Sequence, residues 1–231
     1  MIIGGIQKTS LIDFASKISC VLFAAGCNFD CPYCHNSELI NGPFTSIDIE
    51  EIVAFLEKRR SLLDGVVITG GEPTLQKDLP AFCEKMKSLG FLLKLDTNGS
   101  QPKVVRSLIK NKQVDYIAMD VKTLPDHYFP HIAQHTSAET ILESIHLIRN
   151  SGISHEFRTT CVKPFVDTDI IQKIARLING ADLFVLQQAI IGDTVLHPEF
   201  FDTVDWKIKP SELQSFQHFA APFVKKTLIR S

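Results

Sequence analysis

The chain has 231 residues, 45% of them apolar and 22% charged, with a formal net charge of -2. A chain this long can bury roughly 70 to 75% of its unfolded surface without a disulfide or metal staple. The near balance of charge leaves nothing that advertises nucleic acid, an acidic membrane or a disordered tail, so partners must be read from sites. Cys27, Cys31 and Cys34 are clustered while Cys20, Cys83 and Cys161 stand apart in apolar surroundings. That division suits one metal site plus three core thiols in a reducing compartment better than a disulfide framework.

Taken in order, the chain first offers a false signal. Residues 22–27, Leu-Phe-Ala-Ala-Gly-Cys, imitate the small-residue end of an export or lipoprotein leader. The apolar run before it is short and broken by Ser19, Asp13 lies close upstream, and cleavage there would delete a strand. No stretch approaches the ~18 apolar residues of a membrane span, and the expected location is the cytoplasm.

Residues 26–35 follow, Gly-Cys-Asn-Phe-Asp-Cys-Pro-Tyr-Cys-His, with three thiols spaced Cys-x3-Cys-x2-Cys. Thiols this close can converge on one soft metal centre, and three ligands leave a coordination position open for chemistry where four would close the site. Other readings compete. Cys31-Pro-Tyr-Cys34 is a Cys-x-x-Cys redox pair, although Cys27 is then superfluous. Cys31 to His35 also spells the c-type haem attachment pattern, which belongs with export. Zinc held by Cys27, Cys31, Cys34 and His35 demands a tight bend between the last two residues.

Beyond the loop, short apolar runs alternate with amphipathic ones. Residues 18–24, 65–69, 92–96, 116–121, 155–162 and 183–188 read as six buried strands, rich in Val, Ile, Leu and Phe. Helices are expected over 46–60, opened by Asp48-x-x-Glu51, and over 79–89, 103–110 and 169–178. Another is expected after a Thr136-x-x-Glu139 box, with Ile141, Leu142, Ile145 and Ile148 as its stripe and Gly152 as its stop. Such alternation calls for a parallel sheet with right-handed crossovers, doubly wound or curled into a barrel, in a single domain over 1–231.

Polar groups gather at the strand ends. The second strand runs into Gly70-Gly71-Glu72-Pro73, the third ends in Asp96-Thr97-Asn98-Gly99, the fourth carries Asp120 and Lys122, the fifth holds Arg158, and the sixth ends in Gln187-Gln188. In a parallel sheet these carboxyl ends share one face with the loop after the first strand. Each feature alone is more often structural: a Gly-Gly turn, an Asn-Gly turn, a local ion pair or an edge-strand charge. Their recurrence in register argues for a charged, zwitterionic ligand.

Cys27-x3-Cys31-x-Tyr33-Cys34, with an aromatic residue before the third cysteine, resembles the motif of radical S-adenosylmethionine enzymes, and Gly70-Gly71-Glu72-Pro73 resembles their second signature. The opening Gly5-x-Gln7-Lys8-Thr9-Ser10-Leu11-Ile12-Asp13, with Asp96-Thr97-Asn98-Gly99 and Met119-Asp120-Val121-Lys122, is similar to the activating enzymes of glycyl radical proteins over nearly the whole chain to about Gln188. The resemblance implies an α/β fold, a partial barrel of six βα units with parallel strands, open on one side, over roughly 18–190. A lid loop and closing helix follow over 191–231. It also implies a 4Fe-4S cluster on Cys27, Cys31 and Cys34, whose open iron takes the amine and carboxylate of S-adenosylmethionine. Gly70, Gly71 and Glu72 then hold the methionyl amine, Lys122 the carboxylate and Arg158 a neighbouring polar part, with Tyr33 near the adenine and Gln187 and Gln188 near the ribose. Asp96 and Asp120, with the backbone of Thr97 and Ala118, match the seat of a monovalent cation, and Asn98 belongs to the same turn.

The implied partners are a glycyl radical enzyme, with anaerobic ribonucleotide reductase favoured, and a flavodoxin- or ferredoxin-like electron donor. Asp13-Phe14-Ala15-Ser16 stands where relatives often carry Tyr-Pro-Gly, and no added cysteine cluster follows the first. Two alternatives remain open: a radical enzyme acting on a small metabolite such as a deazapurine precursor, and a non-catalytic metal-binding or redox-sensing module. At the C-terminus, Phe200, Phe201 and Trp206 between Pro198 and Pro210 fit a lid or a partner-facing loop, and 211–219 reads as a short helix.

Overall fold

The computed structural model describes residues 1–192, 195–202 and 204–230. Its elements, in chain order, are β1 Ile3–Ser10, β2 Ser19–Ala24, α1 Ser37–Asn41, α2 Ile49–Lys58, β3 Gly65–Gly70, α3 Leu79–Ser88, β4 Leu92–Thr97, α4 Pro102–Lys110, β5 Tyr116–Asp120, α5 Ala138–Arg149, β6 Ser154–Cys161, α6 Thr168–Leu177, β7 Leu183–Gln188, α7 Pro210–Ala220 and β8 Thr227–Arg230. The strand order follows the chain from β1 to β8, so the sheet does not close on itself. β1 pairs antiparallel with β2, whereas the pairs β2–β3, β3–β4, β6–β7 and β7–β8 are parallel. The fold is α/β, as expected.

All six expected strands form, and two more join them. β1 carries Gly4, Gly5, Gln7 and Lys8 and has only its end residues buried, so no apolar run announces it. β8 has four residues and no fully buried one. Both are end strands that owe their form to backbone pairing with a neighbour, a partnership invisible in local sequence. The chain thus ends in a strand rather than in a helix.

Two compact units are present. The first comprises Met1–Cys27, Glu38–Thr97 and Lys103–Ile117. Within it, Val21 and Val67 are register partners and pack with Phe14 in one apolar cluster, flanked by Phe23, Leu92 and Tyr116. α2 buries Ile52 and Leu56, and α3 buries Leu79, Phe82, Cys83 and Met86. Side chains of this size contribute about 1.5 to 3 kcal/mol each on full burial. The Asp48 carboxylate caps α2, accepting from the Glu50 N–H at 2.6 Å.

The second unit comprises Asn28–Ser37, Asn98–Pro102 and the chain from Ala118 onward. Its helix α5 is capped by Ser137, which accepts from the Thr140 N–H at 3.3 Å, and not by the expected Thr136. Residues 141, 144, 145 and 148 share the inward face of the helix, so Ser144 is buried beside Ile141, Ile145 and Ile148 while Leu142 is exposed. The register Thr160↔Gln187↔Arg230 continues from Arg158↔Val185. Because side chains alternate along a strand, Glu156, Arg158, Gln187 and Arg230 share one face of β6, β7 and β8. In the C-terminal stretch Phe201 is buried, edge-on to Phe200 and Trp206, so these aromatics are not an exposed patch. Among the described residues, no helix is long and apolar enough to cross a membrane.

Candidate active site

In the first unit the chain leaving β2 is pinned by backbone bonds before it reaches Cys27. The Ala25 N–H donates to the Ile2 carbonyl at 3.0 Å and the Gly26 N–H to the Leu39 carbonyl at 2.9 Å. From the other side, the Gly71 N–H donates to the Ala24 carbonyl at 2.7 Å and the Glu72 N–H to the Gly26 carbonyl at 2.8 Å. The Gln76 amide adds a bond to the Ala25 carbonyl at 2.7 Å. Two backbones therefore touch where glycines occur. A Cβ on Gly70, whose φ is +106°, would stand 2.6 Å from the Ala24 backbone, and one on Gly71 would stand 2.1 Å from the Gly26 carbonyl oxygen. Glu72 is fully buried; its Oε1 accepts from the Thr74 N–H at 3.0 Å, from the Thr74 hydroxyl and from the Thr97 hydroxyl at 2.8 Å. The Gly70-Gly71-Glu72 segment thus clamps the approach to Cys27 as well as lying at a strand end.

The same unit places Asp96 beside a residue the sequence reading passed over. Lys94 sits in the interior of β4, with its ammonium 3.2 Å from Asp96 Oδ1. It donates to the Asp13 carbonyl at 2.6 Å and lies 5.7 Å from the centre of the Tyr116 ring. A lysine inside the run Leu-Leu-Lys-Leu-Asp, two residues from an aspartate, was the available signal.

In the second unit the remainder of the cysteine loop is held from several sides. The Cys34 N–H donates to the Cys31 carbonyl at 3.0 Å, closing a turn, and the Asp30 N–H donates to the Ile132 carbonyl at 2.9 Å. The Leu196 N–H reaches the Cys34 carbonyl at 2.9 Å, and the His197 N–H reaches the Pro32 carbonyl at 3.1 Å. Asn28 Oδ1 accepts from the Asn98 amide at 3.1 Å and from the Ser100 hydroxyl at 3.2 Å. Asn98 is thereby a brace for the loop. Gly99, at φ +77°, leaves room for Met119, whose Cε would lie 2.1 Å from an added Cβ.

His197 was not singled out from sequence. Its Nε2 lies 2.9 Å from Asp30 Oδ1 and its Nδ1 3.3 Å from Glu199 Oε1. The hydrogen bond to Asp30, helped by Glu199, raises the imidazole above its ordinary range.

Cys31 is buried, Cys27 and Cys34 are half-buried, and none of the three is in a disulfide. Tyr33 is buried with its ring edge-on to Phe165 at 5.5 Å, and its hydroxyl has no hydrogen-bond partner among the described residues. Burial, together with the nearby Cys31, pushes the phenol well above its usual value. His35 is exposed. Among the described residues no three His, Cys, Asp or Glu side chains are gathered into a ready-made metal site. The donor set still fits a cluster: three soft thiolates on an irregular loop can be drawn to one centre, and three leave one iron open.

Asp120, Lys122 and Arg158 form one ion-paired group. Arg158 Nε donates to Asp120 Oδ1 at 2.7 Å, and Lys122 Nζ to Oδ2 at 2.9 Å. Burial alone would raise the Asp120 carboxyl, but Arg158 and Lys122 outweigh it and hold it well below the ordinary carboxylate range. Lys122 is likewise driven above its usual value, with Asp120 and Cys31 overcoming the effect of burial. The Tyr128 hydroxyl accepts from the Lys122 N–H at 3.1 Å, and the Tyr128 ring meets Phe29 edge-on at 5.6 Å. Gln187 shares the Arg158 face of the sheet, while Gln188, the next residue along β7, points to the opposite one.

Residues 21–178 match the Radical SAM superfamily. A Methanocaldococcus jannaschii protein named "Putative glycyl-radical enzyme activating enzyme" is 36% identical, with the match covering 100% of this chain and 96% of that one. A second protein of that organism, bearing the same description, is 31% identical over 79% of this chain and 70% of its own. The chain belongs to the Radical SAM superfamily and groups there with the glycyl-radical enzyme activating enzymes. A 7-carboxy-7-deazaguanine synthase of Haemophilus influenzae is 35% identical over 45% of this chain and 43% of its own. Among solved structures, SuiB of Streptococcus suis bound to S-adenosylmethionine shares the fold, with a TM-score of 0.69 at 14% identity over 90% of this chain. This chain spans only 51% of SuiB.

Proposed function

We propose that the protein is an activase that removes a hydrogen atom from one glycine Cα of a glycyl radical enzyme, with anaerobic ribonucleotide reductase as the favoured partner. The observation that carries this reading is the likeness, over all of this chain and 96% of the other, to a protein named "Putative glycyl-radical enzyme activating enzyme". A 4Fe-4S cluster with S-adenosylmethionine supplies, when bound, a one-electron reductive cleavage to methionine and a 5′-deoxyadenosyl radical.

Cys27, Cys31 and Cys34 hold the cluster as thiolates, and their carrier segments are fixed by the backbone bonds that pin residues 24–26 and 30–34. Carbonyl oxygens of the Gly70-Gly71-Glu72 segment accept from the methionyl amine, since the N–H groups of Gly71 and Glu72 already serve residues 24–26. Lys122 holds the methionyl carboxylate, and Asp120 keeps Lys122 and Arg158 charged and oriented. Tyr33 contributes a buried aromatic wall for the adenine, and Gln187 lies on the face where a ribose contact is possible. Asp96, Thr97 and Asn98 act behind this layer, orienting their neighbours. The electron comes from a flavodoxin- or ferredoxin-like donor, in a reducing, cytoplasmic setting.

A small-metabolite reading is favoured by the partial likeness to 7-carboxy-7-deazaguanine synthase. One experiment separates the two. Reconstituted protein is mixed anaerobically with reductant, S-adenosylmethionine and the reductase. A glycyl doublet in the paramagnetic resonance spectrum, lost when the partner's radical-bearing glycine is changed to Ala, supports the activase. 5′-Deoxyadenosine without a radical on that or any other glycyl radical enzyme of the same cell favours the metabolite enzyme.

A further inference from the structure

Lys94 occupies a costly place. Residues 92, 94 and 96 lie on one face of β4, and Lys94 pairs in register with Val67, which packs with Val21 and Phe14. A lysine only 4% exposed on such a wall needs compensation for its charge. Compensation comes from the Asp96 carboxylate at 3.2 Å, the Asp13 carbonyl at 2.6 Å and the Tyr116 ring at 5.7 Å. The Asp13 backbone is itself anchored, its N–H donating to Ser10 Oγ at 3.2 Å.

A carboxylate oxygen and a backbone carbonyl are the hard oxygen donors that a monovalent metal ion uses. Here the Lys94 ammonium hydrogen-bonds the Asp13 carbonyl and stands in ion-pair range of Asp96 Oδ1, an oxygen that accepts no hydrogen bond from it. The other carboxylate expected to seat such an ion, Asp120, is matched by Lys122 and Arg158, so an added cation there would meet like charge.

We propose that Lys94 supplies from within the chain the positive charge beside Asp96 that a monovalent metal ion was expected to supply, making it a positioning residue for a cofactor site that needs no such ion. The inference rests on the proposed binding of S-adenosylmethionine, yet its first test does not. Sodium-23 line widths are measured on the cluster-loaded protein, with potassium as competitor. The wild type is expected to show no potassium-displaceable broadening, and Lys94→Met to show saturable broadening.

Next, the dissociation constant for S-adenosylmethionine is measured by anaerobic equilibrium dialysis in potassium, sodium and tetramethylammonium buffers. Wild-type binding should agree within about twofold across the three. Lys94→Met should bind about tenfold more weakly in tetramethylammonium, or about 1.4 kcal/mol, and recover in potassium or sodium. Displaceable sodium broadening in the wild type overturns the proposal, as does a folded Lys94→Met that binds like the wild type in tetramethylammonium. If Lys94→Met does not fold, the wild-type sodium measurement decides alone: broadening refutes the proposal and its absence supports it. A wild type that binds no S-adenosylmethionine in any salt refutes the proposed function, while the sodium result still judges Lys94.

Discussion

Replacing Gly71 by Ala tests whether close backbone contact, rather than a ligand alone, demands the second glycine of the Gly-Gly-Glu-Pro segment. The new Cβ would stand 2.1 Å from the Gly26 carbonyl oxygen and 2.7 Å from its carbon. Carbon and oxygen rest no closer than about 3.3 Å, so the two backbones must part by roughly 1.2 Å. That opening breaks the 2.8 Å bond from the Glu72 N–H to the Gly26 carbonyl. Losing the bond costs about 1 kcal/mol and overpacking about 1 to 3 kcal/mol more. The expected loss of about 2 to 4 kcal/mol lowers Tm by roughly 5 to 15 °C in a chain of this size.

Gly26→Ala is the control. Its φ is +84° and an added Cβ meets nothing within 4 Å, so it should cost only the ~1 to 2 kcal/mol of left-handed strain. Thermal melts and iron content after anaerobic reconstitution give the readout. Gly71→Ala should lose more of both, although Gly26 is the residue next to Cys27. Wild-type Tm and full iron loading in Gly71→Ala, or a worse result for Gly26→Ala, would refute the argument.

Asp120→Asn leaves Lys122 and Arg158 without their carboxylate and should destabilise by about 3 kcal/mol. Because the folded carboxyl is held below its unfolded value, its contribution is full above pH ~4 and lost as pH falls through the folded pKa. Urea midpoints of wild type and variant should therefore differ constantly from pH 7 down to about 4 and converge below that. His197 has a raised pKa, so its hold on Asp30 and Glu199 is present below pH ~6.5 and fades as pH rises through the folded value. Protection factors at the backbone amides of residues 196 and 197, taken against the intrinsic exchange rate at each pH, should fall over that rise in the wild type, and His197→Gln should abolish that fall. Burial pushes the thiols of Cys20, Cys83 and Cys161 up to about 12. At pH 8 iodoacetamide should label Cys27 and Cys34 first, and labelling of any of those three at the same rate would contradict their burial. Changing Cys27, Cys31 or Cys34 to Ala should abolish iron binding, whereas Ala at Cys20, Cys83 or Cys161 should not.

The six inner strands, the cysteine loop and the polar strand ends were legible because each is written in contiguous residues: a run of β-branched and aliphatic side chains, a spacing of thiols, a charge where a strand stops. That Asp120, Lys122 and Arg158 lie at strand ends was legible, whereas the pairing of both cations with the one carboxylate was not. Tertiary structure decided what depends on partners distant in sequence. β1 and β8 exist through pairing, not through apolar pattern. Gly71 is required by Gly26, and Lys94 is tied to Asp13 across 81 positions. His197 reaches Asp30 across 167 positions. No local window contains both members of such a pair, so the sequence can state that a glycine, a lysine or a histidine is present, and only the folded chain determines which group each must accommodate or neutralise.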